Sequence, residues 1–581
     1  MNARFSALSI ASFCMLLYAT TATAQTTKAF LESDGSVNTI SLNNNINPTA
    51  PQKLINQLPG WPVKMASNAS FKNMRCVAAE DIDADGRKEV LVASNNLLCA
   101  YNDDGSILWS KTLIGTAIYP PTVGDIDNDG QFEIAQATGG SPADGRIYLL
   151  DHNGNDIPGW PINHSDHWIL CSPVMTDING DDTLELIYNE RVYPQGNLHI
   201  RNMDGTSFSA NWPVVIDATP SVTPSAGDID GDGSKEIILC SYNDILAFNL
   251  NGALKNGFPV LNTNTTFSYQ SPLLVDLDGD GTLNIVGSTI GNVPEFYVLN
   301  HDGTYHNGWP VAVPDANWTY CPPAVADLNQ SGNFSLFFTR PINDTVLPML
   351  FGFDKNAVML SNFPMSARGG DEGIVTIADV DGDSQYEIVT GSNLCDGGFG
   401  VIHAFKMDGS GEAAGFPLRP QGFSFMNGAN LADINNDGLL ELISLSYDQT
   451  FTATDSTIVN VYALNVPCSD STVLFGTYKG SNLRNGLITS GLPPYSVQEA
   501  QSNISVSVHP NPASDFLVLD FEISDEYSVS LINAAGQVVF EEPCCYEKSI
   551  IIDLKSHAEG MYHLKIESAE GFVLKQVVLE R

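Results

Sequence analysis

The hydrophobic pattern of the chain repeats about every 50 residues. In each repeat a short apolar run leads into an acidic turn of the form Asp-(Ile/Leu/Val)-(Asp/Asn)-x-Asp-Gly-x-x-Glu, and apolar β-forming residues follow at once. Glu236 is followed by Ile-Ile-Leu-Cys, for example, and Glu387 by Ile-Val-Thr. Repetition on this scale is typical of solenoids, propellers and arrays. The turns begin at Asp81, Asp125, Asp177, Asp228, Asp276, Asp327, Asp379 and Asp433.

Two further markers recur in each repeat and indicate short antiparallel strands. Asn-Gly or Asp-Gly pairs, which accept the positive φ of two-residue hairpins, occur at residues 104, 153, 204, 251, 302 and 408. A Trp-Pro or Phe-Pro pair follows, and proline marks an edge strand because it cannot donate a ladder hydrogen bond. These pairs begin at Trp61, Trp160, Trp212, Phe258, Trp309, Phe363 and Phe416.

Four short strands per repeat, ending in an exposed edge, predict the blade of a β-propeller. The fold class is therefore all-β, and eight turns predict eight four-stranded blades. Seven blades are the alternative, because the degenerate unit at Asp327 or an incomplete terminal unit would not form its own blade. The extra Gly60-Trp61-Pro62 would supply an outer strand that closes the ring with the strand near Val459–Asn465.

The acidic turns have the chemistry of a calcium loop. Oxygen donors at positions 1, 3, 5 and 9, a main-chain carbonyl at position 7 and a glycine at position 6 suit a hard cation with six to eight ligands. A solvated acidic turn is the alternative for any single copy. The predicted structural Ca²⁺ ligands are Asp81, Asp83, Asp85, Arg87, Glu89, Asp125, Asp127, Asp129, Gln131, Glu133, Asp177, Asn179, Asp181, Thr183, Glu185, Asp228, Asp230, Asp232, Ser234, Glu236, Asp276, Asp278, Asp280, Thr282, Asp379, Asp381, Asp383, Gln385, Glu387, Asp433, Asn435, Asp437, Leu439 and Glu441. The turn at Asp327 keeps one carboxylate and is predicted to bind no metal.

Composition limits the partners of the chain. The 581 residues carry a formal net charge of −41, and 27 of the 67 acidic residues lie in the eight turns. Bound divalent cations would offset much of this charge, whereas nucleic acid and anionic lipid would be repelled. Among the 26 lysines and arginines, no basic patch with interleaved aromatics appears. Nucleic-acid binding is therefore excluded.

The two ends of the chain indicate export and a second domain. Residues 1–24 have the form of a secretory signal, with Arg4, an apolar core and a small-residue end. Residues 25–58 are rich in Asn, Ser and Thr and are interpreted as a linker or irregular cap. The propeller is assigned to 59–490, a linker to 491–503, and a small β-sandwich to 504–581. No later stretch is apolar enough for a membrane span.

Both parts resemble known families. DIDGDGSKEI and LAFNLNGALKNGFPV resemble the FG-GAP/VCBS repeats of integrin α-like propellers. That resemblance implies calcium between the two innermost strands of a blade and ligand binding on the opposite face. PNPA, NAAGQVV, GMYHLKI and the terminal KQVVLE resemble the type A C-terminal sorting domain of the type IX secretion system. This implies contact with that machinery, outer-membrane translocation in a Gram-negative bacterium, removal of the domain, and release or attachment at the cell surface.

A ligand surface is predicted from aromatics that precede the innermost strands, opposite the acidic turns. Packing between blades is the alternative for each of them. The candidates are Trp168, Trp318, Tyr269, Tyr320 and Phe425. Beside Trp168, the run His164-Ser165-Asp166-His167 forms either an acid/base cluster or a polar loop.

The sequence favours an exported, calcium-stabilised binding or adhesion module for glycan or protein ligands. The competing class is an extracellular carbohydrate-active enzyme, since some polysaccharide lyases resemble this chain in having calcium-bearing propellers. A scaffold without a discrete ligand is a third class. Against an enzyme, no Gly-x-Ser-x-Gly, HExxH or phosphate-binding glycine loop is present, and no Lys/Arg-rich cleft for a uronate is evident.

Overall fold

A computed structural model describes residues 26–489 and 506–579 with short gaps, and its regular structure is almost entirely β-strand. The gaps are 33–35, 43–54, 140–143, 166, 192–194, 217–221, 262–264, 268–269, 315–319, 330, 343–344, 449–451, 453 and 470, then 510–512, 515, 522–526, 534–537, 546–547, 556, 558–559 and 569–570. The predicted signal, residues 1–24, lies outside the described residues. The chain divides into two compact units, 1–493 and 494–581. No helix among the described residues has the length and apolarity needed to cross a bilayer.

The first unit is a β-propeller of eight sheets, each built around one acidic turn. The strands are given from the innermost outward. Blade 1 contains Ala78–Glu80, Glu89–Tyr101 and Ile107–Ala117, and blade 2 contains Thr122–Gly124, Glu133–Thr138, Asp144–Leu150 and Ile162–Ser165. Blade 3 contains Val174–Thr176, Glu185–Arg191, Gly196–Arg201 and Val214–Ile216, and blade 4 contains Ser225–Gly227, Glu236–Cys240, Asp244–Phe248 and Val260–Leu261. Blade 5 contains Leu273–Val275, Asn284–Ser288, Glu295–Leu299 and Val311–Ala312, and blade 6 contains Ala324–Ala326, Ser335–Thr339, Leu347–Phe353 and Met365–Ala367. Blade 7 contains Val375–Ala378, Glu387–Thr390 and His403–Lys406, and blade 8 contains Ala429–Ala432, Leu439–Tyr447, Ser456–Pro467 and Val63–Ala66. A two-stranded pair, Thr265–Thr266 with Ile290–Gly291, lies beside blade 5.

The ring closes as the sequence predicted. Val63–Ala66 is the outer strand of blade 8 and pairs antiparallel with Ser456–Pro467, so that Val63 lies opposite Val459. At the junction of blades 8 and 1, the amide of Lys88 donates to the carbonyl of Ile434 at 2.8 Å. The unit at Asp327 forms the four-stranded blade 6. Eight blades are therefore confirmed, and the seven-blade alternative is wrong, but blades 1 and 7 have three of the predicted four strands among the described residues.

The tryptophans of the Trp-Pro pairs join neighbouring blades at four junctions. The indole Nε1 of Trp160 in blade 2 donates to the carbonyl of Met203 in blade 3 at 2.6 Å, and Trp212 in blade 3 donates to Leu250 in blade 4 at 2.8 Å. Trp61 and Trp309 make the same bond across the 8–1 and 5–6 junctions. The large rings thus fill the space between sheets while their single polar atom stays satisfied.

A segment after the last blade follows the inner wall of the ring, and we call residues 472–488 the channel segment. Its carbonyls accept backbone hydrogen bonds in turn from the innermost strands or adjoining residues of blades 7, 8, 2, 3, 4 and 5. Leu487–Ile488 pairs parallel to Leu273–Val275, and Val473–Phe475 pairs antiparallel to Val375–Ala378. One buried 3₁₀ turn, Tyr478–Gly480, interrupts it.

Side chains of the channel segment also bind backbone carbonyls inside the ring. Fully buried Arg484 donates to the carbonyls of Val77 at 2.9 Å and of Tyr478 at 2.9 Å. Lys479 donates to the carbonyl of Thr223 at 3.3 Å and to Ser225 Oγ at 2.7 Å. Because an unpaired buried cation is costly, these contacts fix the segment in one position.

The segment interpreted as a linker or irregular cap contains regular structure. Thr26–Leu31 and Val37–Leu42 form an antiparallel hairpin, and Thr26–Lys28 pairs with Leu394–Asp396 beside blade 7. Ala29, Leu31 and Val37 are buried in this arrangement. A hairpin this polar depends on a distant sheet edge for its stability, so local composition alone gave the wrong interpretation here.

The second unit is a β-sandwich, as predicted. One sheet contains Val506–His509, Phe516–Phe521 and Ser549–Asp553, and the other contains Tyr527–Asn533, Val538–Cys545, Gly560–Ser568 and Gly571–Leu579. Alternate residues of the two sheets meet in one core that includes Leu517, Leu519, Val529, Leu531 and Leu564.

Candidate metal centres

All eight acidic turns lie on one face of the propeller. Position 1 of each turn follows the innermost strand, and the second strand starts at position 9 or close to it. In blade 1, for example, Glu80 pairs with Glu89 across the base of the loop. Since the innermost strands all run in the same direction about the axis, the fold places the loops side by side.

The loop backbone is shaped by its own aspartates. In blade 4 the carboxylate of Asp228 accepts the amides of Asp232 at 3.1 Å and Gly233 at 2.8 Å, and Asp232 accepts the amide of Ser234 at 2.8 Å. Bonds between the same positions occur at Asp81, Asp125, Asp276 and Asp433. The position-7 residues Arg87, Gln131, Thr183, Thr282, Gln385 and Leu439 donate their amides in the same way.

The position-9 carboxylates are buried beneath the loops. One oxygen of Glu387 accepts the amide of Val380 at 3.0 Å, and Glu89, Glu133, Glu185, Glu236 and Glu441 accept the corresponding amide in their own loops. Burial raises the pKa of Glu387 to about 8, and the charges of Asp381 and Asp383 add to the rise. The pKa of Glu441 is raised to about 8 and that of Glu133 to about 7 for the same reasons. The loops of blades 2, 7 and 8 therefore concentrate more negative charge than the adjacent protein groups offset.

The donor set fits a hard cation. Ligand oxygens of Asp125, Asp127 and Glu133 lie within 4.8 Å of one another. The same holds for Asp81, Asp83 and Asp85, for Asp228, Asp230 and Glu236, and for Asp379, Asp381 and Glu387. Buried oxygens of Asp230, Asp381 and Glu387 have no hydrogen-bond partner among the described residues. Converging carboxylate oxygens, three of which have no donor among the described residues, match what Ca²⁺ requires.

Two lysines contact these carboxylates, and sequence reasoning missed both. Lys255 Nζ lies 2.6 Å from Asp230 Oδ2 and 2.9 Å from Glu236 Oε1. Lys406 Nζ lies 2.9 Å from Asp381 Oδ2 and also contacts Asp383. Lys406 ends the third strand of blade 7, and Lys255 follows the hairpin turn after the third strand of blade 4. Both positions lie next to the acidic loop once the sheet has formed. A lysine near the hairpin turn is the only signal that sequence offered.

The loops differ as their sequences indicated. In blade 3, Asn179 Nδ2 donates to Asp181 at 3.0 Å and to Glu185 at 3.3 Å, and in blade 8 Asn435 donates to Asp437 at 3.1 Å. In blade 5 the position-9 residue Asn284 replaces the acid and accepts the amide of Leu277 at 3.1 Å. The blade 6 loop has Ser335 at position 9, which leaves Asp327 as its one carboxylate.

Two of the aromatics predicted to line a ligand surface are buried, so the prediction is wrong for them. Phe425 is fully buried and Tyr320 is 7% exposed, and both belong to the apolar cluster that includes Tyr478 of the channel segment. Their rings pack inward because they enter the innermost strands beside the axis. Trp318 and Tyr269 lie outside the described residues.

Trp168 remains partly exposed on the face opposite the acidic turns. Its ring packs edge-on against Phe71 at 5.3 Å between centroids, and the Arg191 guanidinium lies 5.5 Å from its centroid. The backbones of Trp168 and Arg191 also exchange hydrogen bonds. The indole is thus held in place while part of its surface faces solvent.

Comparisons with known proteins agree with this architecture. Residues 81–135 match the family model described as an FG-GAP-like repeat, and residues 507–580 match the secretion system C-terminal sorting domain. No curated protein sequence matches the chain.

Several solved structures are similar to this chain at low sequence identity. BamB from Moraxella catarrhalis is 13% identical with a TM-score of 0.41, over 70% of this chain and all of that one. Quinohemoprotein alcohol dehydrogenase from Comamonas testosteroni is 10% identical with a TM-score of 0.43, over 70% of this chain and 77% of that one. The V. cholerae biofilm matrix protein Bap1 is 15% identical with a TM-score of 0.33, over 90% of this chain and 91% of that one.

Proposed function

We propose that this chain, an FG-GAP-repeat β-propeller protein whose C-terminal sorting domain directs export by the type IX secretion system to the cell surface or extracellular space, is a calcium-stabilised binding module. Its ligands are glycans or extracellular proteins, and the metal's role is structural. The repeated acidic loop carries this proposal, because one donor set recurs around the ring at positions that cannot all be active sites.

Calcium would be held by carboxylates at positions 1, 3, 5 and 9 and by the carbonyl at position 7. The bound ion supplies positive charge that offsets the mutual repulsion of these groups. In blade 2 the donors are Asp125, Asp127, Asp129, Gln131 and Glu133. Because the amide of Leu184 in the blade 3 loop donates to the carbonyl of Ile126 at 2.8 Å, ordering one loop also supports its neighbour.

The ligand surface is proposed on the opposite face, around Trp168. A partly exposed indole that is fixed by Phe71 and Arg191 can stack on a sugar ring or pack against a protein loop at little entropic cost. Such rigid aromatics often supply a large share of binding energy. The buried Tyr320 and Phe425 take no part.

A glycan array probed with the untagged protein in calcium tests this function, followed by affinity measurement on the best ligand. Trp168→Ala is expected to weaken binding about tenfold or more, which corresponds to about 1.4 kcal/mol. Phe399→Ala is the matched control, because Phe399 is an aromatic 47% exposed on blade 7. Equal binding by wild type and Trp168→Ala, with both folded, would refute the proposed surface. Turnover of an acidic glycan would instead favour the enzyme class.

A further inference from the structure

Three histidines converge on one buried glutamate between blades 2 and 3. Glu190 Oε1 lies 3.0 Å from His164 Nδ1 and also contacts His167 Nδ1, and Glu190 Oε2 lies 2.9 Å from His199 Nε2. The side chains of Glu190 and His199 are 5% and 4% exposed, that of His164 is 9% exposed, and that of His167 is 34% exposed. One face of the cluster therefore reaches solvent through His167.

The fold brings these residues together from separate segments. His164 lies in the outer strand of blade 2, Glu190 near the end of the second strand of blade 3, and His199 in its third strand. Glu185, at the other end of the same strand as Glu190, belongs to the calcium loop. The cluster thus lies on the face opposite the acidic turns, close to Trp168, and is independent of them.

We propose that His164, Glu190 and His199, with His167 as a fourth ligand, bind a divalent transition metal, with zinc as the preferred ion. Imidazole nitrogens together with one carboxylate are the donor set that Zn²⁺ selects, whereas Ca²⁺ selects oxygens alone. Ligand atoms about 2.0–2.2 Å from zinc in a tetrahedron lie roughly 3.4 Å apart. The observed separations of 2.9 and 3.0 Å are shorter than that value by about half an ångström, and one ligand atom from each of His164, Glu190 and His199 lies within 4.8 Å of the others.

Outer hydrogen bonds orient the ligands as metal sites require. The other nitrogen of His164, Nε2, lies 3.0 Å from the hydroxyl of Tyr188, whose ring stacks on His199 at 4.7 Å between centroids. Asn197 Nδ2 donates to Glu190 Oε2 at 2.9 Å and fixes the carboxylate plane. These partners hold His164 Nδ1 and both Glu190 oxygens towards a common point.

A metal-free network and a metal site differ in the protonation of the three rings. Without a metal, all three imidazoles must donate an N–H to Glu190, which together with Asn197 uses every acceptor position of its carboxylate. A bound dication would instead interact with all three rings at once through their lone pairs.

Zinc binding to the untagged, chelator-treated protein tests this site. The titration uses calorimetry in excess calcium, so that the acidic loops are occupied by the harder ion. Wild type is expected to bind one zinc, and His199→Gln and Glu190→Gln to weaken that event at least about 100-fold. Tyr188→Phe is expected to weaken it about tenfold, because it removes an outer hydrogen bond. His403→Gln is the matched control: His403 Nδ1 pairs with Glu412 at 2.6 Å, and no second histidine of the described residues pairs with that carboxylate, so zinc binding is expected to stay unchanged.

The proposal fails if wild type binds no zinc, or if the ligand variants bind it as tightly as wild type. Should a ligand variant not fold, X-ray absorption at the zinc edge on the loaded wild type decides the matter. Imidazole scattering from two or three histidines is expected, and an all-oxygen shell would overturn the assignment.

Discussion

Gly257 lies directly against Asp302 of the next blade: a Cβ added to Gly257 would stand 1.9 Å from the Asp302 carbonyl oxygen. The φ of Gly257 is also positive, at 92°. Gly60, Gly159 and Gly308, which precede Trp-Pro pairs, meet the turn of the following blade in the same way. Close backbone contact between blades therefore explains the glycine before the aromatic-proline pair.

Gly257→Ala is expected to destabilise the propeller by roughly 2 to 4 kcal/mol, because it adds a steric overlap to an unfavourable φ. Gly332→Ala is the matched control: its φ is 79°, and nothing lies within 4 Å of the added Cβ. That variant is expected to lose only about 1 kcal/mol. Urea denaturation measures both, and equal losses would contradict the proposed role of the contact.

Calcium removal is expected to lower the melting temperature of the propeller. Each site contributes about 2.7 kcal/mol when free calcium exceeds its dissociation constant 100-fold. Glu387→Gln replaces a buried carboxylate that is a proposed ligand in blade 7, and it is expected to lower the bound calcium by one equivalent in equilibrium dialysis. Asp327→Asn, in the loop with one carboxylate, is expected to leave the calcium count unchanged. Melting curves that are identical with calcium and with EDTA would refute calcium binding.

Loss of the Arg484 side chain is expected to destabilise the ring by at least about 3 kcal/mol. Arg484→Ala removes the donor to the Tyr478 carbonyl and one of the two donors to the Val77 carbonyl, which keeps Asn430, and it opens a cavity inside the ring. Lys111→Ala removes a surface pair with Asp156, at 2.7 Å, and is expected to cost less than about 1 kcal/mol. Thermal unfolding compares the two variants, and similar losses would show that the channel segment contributes little.

The propeller cysteines are expected to resist alkylation in the folded protein. Cys76, Cys171 and Cys240 are free and buried, and burial raises the pKa of each thiol to about 12. Only the thiolate reacts, so iodoacetamide at pH 8 is expected to label these residues after denaturation and not before. Peptide mass spectrometry measures each site separately, and rapid native labelling of Cys171 would contradict the burial.

The sequence predicted the parts of the fold that repeat. Eight acidic turns and the Trp-Pro pairs gave the number of blades, the face of the loops and the strand that closes the ring. The hairpin at residues 26–42 and the channel segment were missed, because Thr26 pairs with Asp396 and Leu487 pairs with Leu274. Such pairings depend on a finished propeller and leave no local pattern.

Burial could not be read from residue type at the candidate sites. Trp168 and Phe425 occupy similar places before an innermost strand, yet the fold exposes one and buries the other. The lysines that contact Asp230 and Asp381 are likewise distant in sequence from those acids. In contrast, the order of the proposed ligands within each acidic turn is a local pattern, and it stays a prediction.

The strand that completes blade 8 has a consequence for the order of assembly. Val63–Ala66 emerges from the ribosome about 400 residues before its partner Ser456–Pro467, so the circle cannot be joined until nearly all of the first unit has been synthesised. Long-range pairing of this kind slows folding. We therefore expect nascent and partly exported chains to remain open arcs, with the final joining step delayed until both ends of the circle are present in the same compartment.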